Sequence, residues 1–161
     1  MTPPAERIDD LLATAPDGTL SLDWLQRAHD TQLHLCGALE EIADSLPDNI
    51  NRQRCLAAAK ALGPLVHQVH RYEETVVFPA LERQAGSSPL LHETLSRLKF
   101  EHCEDECFAE ELVDALQRLG RGDGGINIEA TGYMLRGFFE TMRRHIAFEK
   151  TMLYGLPPLA G

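Results

Sequence analysis

The stretch "HQVHRYEETVVFPALE", residues 67–82, decides how the rest of the chain reads. Taken as a helix, it sets His70 and Glu74 in line with Val66, Val77 and Leu81. An imidazole and a carboxylate thus stand on the stripe that a helix normally buries. Neighbouring Glu73 is expected to face solvent or to sit behind the inward groups.

Working outward, the turn signals "LPDN" (46–49), "QAGSSP" (84–89) and "GRGDGG" (120–125) divide the chain into long segments without the β-branched alternation of strands. The first long helix is expected from about Ser21, a capping residue ahead of "LDWLQRAHD", and the second from about Asn51 to Glu82. Pro64 removes one backbone donor inside the second, so a kink or break is expected there. The third is expected over Pro89 to Leu119 and the fourth over Ile126 to Tyr154. Apolar residues recur at alternating spacings of three and four, the seam of a bundle helix. Short connections make sequential helices antiparallel. The fold expected is therefore all-α: an up-down-up-down four-helix bundle over residues 20–155, with a short extra helix within 1–19 and a tail at 156–161. Ile8, Leu11 and Leu12 of the extra helix are expected to cover Trp24, which points away from the first seam.

The stripe of each long helix carries polar groups. His70, His102 and His145 each have a glutamate four residues on, Glu74, Glu106 and Glu149, and His29 occupies the seam of the first helix. Residues so spaced lie about 5–6 Å apart on one helix face, within reach of a common ion. A salt bridge would explain one such pair. Three on three seams, with His29 and with no lysine or arginine near them, would form a costly buried cluster unless a cation compensates it. Counted at about 1.5 Å per residue, His29, His70 with Glu74, and His145 with Glu149 share one layer, with His102 slightly deeper. His67, about 60° from His70, could be a further ligand or could support one. His34 and His92 read as ordinary surface residues.

Imidazole and carboxylate without thiolate favour iron, with manganese or zinc as possible substitutes. The set exceeds the four ligands of a structural zinc and suits two metals bridged by carboxylates. The ordered motifs, an early histidine, "HRYEE" followed by "FPALE", "EH", and "HIAFE", resemble the hemerythrin-like HHE cation-binding domain over about residues 20–155. The resemblance implies two iron ions joined by an oxo or hydroxo group, His29 and His70 on one, His102 and His145 on the other, and Glu74 and Glu149 bridging. One departure stands out: Glu106 occupies the place where oxygen-carrying members have a further histidine. An additional anion there favours the ferric state and makes reversible oxygen carriage less suited to this chain.

A formal charge of -10 argues against nucleic acid or an anionic membrane as partner. No membrane span or secretory signal is expected. Cys36, Cys55, Cys103 and Cys107 lack a CxxC pair and read as reduced thiols of a cytoplasmic protein. Cys107 projects about 140° from His102, away from a shared site. The function expected is a cytosolic non-haem di-iron protein, monomer or homodimer, that binds, senses or handles oxygen, nitric oxide, peroxide or iron. Two alternatives stand beside it: a di-iron enzyme consuming peroxide or resembling iron–sulfur repair proteins, and a metal-free helical interaction module. Whether the chain is a catalyst is left open.

Overall fold

The computed structural model describes residues 5–86 and 88–154, with side chains from Ile8 to Leu153. The expected tail at 156–161 lies outside the described residues. The described chain is all-helical: α1 (Ala5–Ala13), α2 (Leu22–Ser45), α3 (Arg52–Tyr72), a π turn (Glu73–Val77), α4 (Phe78–Ala85), α5 (Pro89–Gly120) and α6 (Ile128–Tyr154). No strand occurs among the described residues.

The helix starts follow from their caps. Ser21 Oγ accepts from the Trp24 N–H at 3.1 Å, Asn51 Oδ1 from Arg54 N–H at 3.1 Å, and Ser88 Oγ from Leu91 N–H at 3.3 Å. Each satisfies an amide that the first helical turn leaves without a partner. Asn127 does the same for Ala130 at 2.9 Å, which starts α6 two residues after the expected Ile126. Gly86 and Gly122, with φ of 67° and 73°, turn the chain after α4 and α5 in a conformation that costs glycine little.

In the bundle, α3 packs on α5, α2 on α6, and the pairs α2–α3 and α5–α6 complete a ring. The shared core holds Leu25, Leu39, Leu62, Leu65, Leu112, Leu116, Leu135 and Phe139, all essentially without solvent contact. α1 packs on α2 and α3. As expected, Ile8 and Leu11 are buried and Leu12 partly so, and the Trp24 Nε1–H donates to the Leu11 carbonyl at 3.0 Å. Tyr72 meets Trp24 edge-on at 4.8 Å, accepts from Ser21 N–H and donates to the Thr19 carbonyl, both at 2.7 Å.

The break expected at Pro64 is absent. That residue lies on the exposed face of a continuous α3, where water can serve the carbonyl left without a donor. The irregularity comes later, where the Phe78 N–H reaches the Glu73 carbonyl five residues back, a π turn. Pro79, which has no N–H to give an α-ladder, follows immediately. This wider turn sits inside the stretch that carries the polar residues.

Candidate metal centre

The π turn overturns the expectation for Glu73. Glu73 is only 2 % exposed, and its side chain points into the core. Glu74 is half-buried beside it and places Oε2 3.2 Å from His102 Nδ1. Glu73 stands seven residues after Val66, fourteen after Ala59 and seven before Ala80, all buried. That heptad register was the available signal; the four-residue spacing from His70 drew attention to Glu74 instead.

Three helical segments meet at the centre. His29 from α2, Glu73 from the π turn and Glu149 from α6 place ligand atoms all within 4.8 Å of one another. His29 Nε2 lies 3.2 Å from Glu149 Oε2 and 3.6 Å from Glu73 Oε1. From α5, His102 Nε2 lies 3.3 Å from Glu149 Oε1 and 3.9 Å from Glu73 Oε2. Each carboxylate therefore spans the same two imidazoles, one oxygen toward each. His70 stacks on His102 with ring centroids 3.8 Å apart, which brings His102 into the common layer. The resemblance paired His70 with His29; here its ring lies against His102.

The remaining expected residues lie farther out. His145, 23 % exposed, is bracketed by two carboxylates of α5: Nδ1–H donates to Asp105 Oδ2 at 2.7 Å, and Glu101 Oε2 is 3.2 Å from Nε2. Glu106 places Oε1 3.3 Å from His70 Nδ1 and 3.6 Å from His67 Nδ1. Asp105 and Glu101 were not foreseen, although Asp105 falls in a seven-residue register with Leu98, Leu112 and Leu119, all buried. His34 is exposed, and His92 is exposed beside Glu82. Cys36 and Cys55 are buried; Cys103 and Cys107 face solvent.

The electrostatics show how strained this grouping is without a cation. Burial and the charge of Glu149 raise Glu73 well above the usual carboxylate range. Burial would raise Glu149 too, but its hydrogen bond with His102 and the nearness of His29 and Glu73 hold it well below that range. Burial therefore works against two charged carboxylates side by side, and Glu73 is the one whose charged form it disfavours more. Burial, with His102 beside it, pushes His70 down to about 3, so its ring is neutral at ordinary pH. His102 is pulled down by burial, yet the hydrogen bond and charge of Glu149, and then those of Glu74, carry it above the usual imidazole value. The hydrogen bond to Asp105 raises His145.

Even so, compensation is incomplete. Among the described residues, neither ring nitrogen of His29 nor Glu73 Oε2 has a hydrogen-bond partner, despite the short distances to Glu149. Buried polar atoms are seldom left so. A divalent cation beside these carboxylates would take His29 Nε2 and Glu73 Oε2 as ligands, and neutral imidazole with carboxylate suits iron, manganese or zinc. The donor set fits a metal.

The family model of the hemerythrin HHE cation-binding domain matches residues 20–156, a span that contains every residue of this cluster. No curated protein matches the chain, and no solved structure does. The chain belongs to the hemerythrin HHE cation-binding family.

Proposed function

We propose that this chain is a cytosolic non-haem di-iron protein, built as an up-down-up-down bundle, that binds or handles a small oxidant or diatomic ligand (oxygen, nitric oxide or peroxide). The observation that carries it is the double span of Glu73 and Glu149 across His29 and His102. Two carboxylates, each offering one oxygen to either side, suit a pair of ions better than one. His29 would anchor one ion and His102 the other, with Glu73 and Glu149 shared. His70, His145, Glu74 and Glu106 surround this core as further donors. Iron bound there would supply reversible one-electron chemistry and an open position for a small ligand.

The chain's own groups set the conditions. The Asp105 carboxylate orients the His145 ring by accepting its Nδ1–H, and a metal at Nε2 would have to share that nitrogen's side with Glu101, 3.2 Å away. Phe78 lies 5.8 Å from the His102 ring, so an apolar ring adjoins the centre on that side. Burial disfavours the charged form of Glu73, and a cation would favour it.

Metal analysis of protein purified without added iron tests the proposal. About two irons per chain are expected, with the near-ultraviolet absorption of a bridged ferric pair. Glu73→Ala and Glu149→Ala should lose that iron and His34→Ala should keep it. Equal loading in all three would refute the assignment. Titrating the reduced protein with oxygen, nitric oxide and peroxide then separates a carrier from an enzyme.

A further inference from the structure

A cleft of about 470 Å³ lies between α3 and α5. Its walls include Pro64, Val66, Ala109 and Val113, and its lining also holds His67 and Glu106. These two are the outer steps of a series. The His67 side chain is 67 % exposed, Glu106 35 % and His70 7 %. Glu106 Oε1 touches both imidazoles, at 3.6 Å to His67 and 3.3 Å to His70. His70 in turn stacks on His102, whose Nε2 is 3.3 Å from Glu149.

We propose that this cleft is the loading port of the metal centre, along which a divalent cation passes from His67 to Glu106 to His70 and into the cluster. The inference rests on the metal-centre reading above. The lining chemistry selects the traveller. An apolar diatomic molecule needs no ladder of imidazole and carboxylate, and an anion would meet Glu106 and Glu110 on a chain of net charge -10. A hydrated first-row cation, by contrast, can exchange its waters one at a time for nitrogen and oxygen donors of falling exposure. The donor atoms of His67 and Glu106, and of Glu106 and His70, stand under 4 Å apart, so the ion keeps protein ligands from the surface to His70 at the edge of the cluster. The arrangement gives Glu106 a task that its outward position suits: it is shared between surface and interior.

The test is kinetic. Ferrous ion is added anaerobically to the metal-free full chain, and the loss of free ion to a chromogenic chelator is timed. His67→Ala, a change at an exposed side chain, is expected to slow uptake severalfold, because it removes the outermost donor of the series. Val113→Trp, which fills the cleft without touching a donor, is expected to slow it as well. Both should reach the same final iron content as the unaltered protein, and His34→Ala should match it in rate. An unaltered rate in either His67→Ala or Val113→Trp overturns the port. A lower final content in His67→Ala also overturns it, since His67 would then be a resident ligand. An unaltered protein that takes up no ferrous ion refutes the metal centre itself, a result distinct from slow loading.

Discussion

Replacing Glu73 by methionine separates what the buried carboxylate does for the fold from what it does for the site. In the metal-free protein, Glu73 Oε2 is buried without a hydrogen-bond partner, and the group must hold its proton to remain there. A buried polar atom so placed costs about 1–3 kcal/mol. Glu73→Met removes that cost with a side chain of similar length. The hydrogen bond with Glu149 is lost at the same time, which returns about 1 kcal/mol. The net expectation is a gain of about 0–2 kcal/mol, in line with the stabilisation seen when buried ionic groups give way to apolar ones. At about 2–4 °C per kcal/mol for a chain of this size, the melting temperature of the metal-free protein should hold or rise by up to about 8 °C. The same variant should lose most of its iron. Circular dichroism melts in the presence of a chelator, paired with metal analysis of untreated protein, read both quantities. Glu74→Met, at a half-exposed position, should move the melting temperature much less. A fall in the metal-free melting temperature of Glu73→Met, or full iron content in it, would refute the account of a carboxylate buried for the sake of a cation.

Other expectations follow from the same contacts. Removing the carboxylate in Asp105→Ala should weaken metal binding about tenfold or more in a chelator competition, while Asp105→Asn, which keeps an acceptor for His145, should lose less. Tyr72→Phe deletes a hydroxyl that bonds Ser21 and Thr19, so it should destabilise by about 1–2 kcal/mol in denaturant melts and leave iron content unchanged. Stability of the metal-free protein should fall on raising the pH above 6.5. His102, His145 and Glu73 have folded values raised above their usual ones, so what their protons contribute is complete below the usual value and disappears as the pH climbs through the folded value. On the acid side, Glu149 and His70, both lowered, withdraw their contributions as the pH falls. Melting temperatures without metal should therefore be highest between about 4.5 and 6.5, where the loss from Glu73 and the gain from His70 offset each other, and should decline on either side. With iron present the alkaline decline should vanish, because the ion replaces the protons.

Much of this protein is local and thus legible in the order of its residues. Ser21, Asn51 and Ser88 cap the helices that they precede, because capping joins a side chain to an amide three residues away. The alternation of apolar residues at three and four sets which faces meet, and that was enough to expect helices, a shared core and a polar layer containing His29, His102 and Glu149. The break expected at Pro64 did not follow, since a proline on a solvent-facing turn costs one hydrogen bond and leaves the helix continuous.

What only the tertiary structure decided is the pairing within that layer. Glu73, in register with Val66 and Ala59 of α3, becomes the carboxylate of the inner cradle because α2 and α6 bring His29 and Glu149 to it, while Glu74 beside it meets His102. Asp105 and Glu101 come to bracket His145, and Glu106 to face the cleft, because α5 presents different sides to α6 and to α3. These are relations between residues 28 or more positions apart. Periodicity states which face of a helix turns inward; the packing of whole helices sets which atoms on those faces come within reach of one ion.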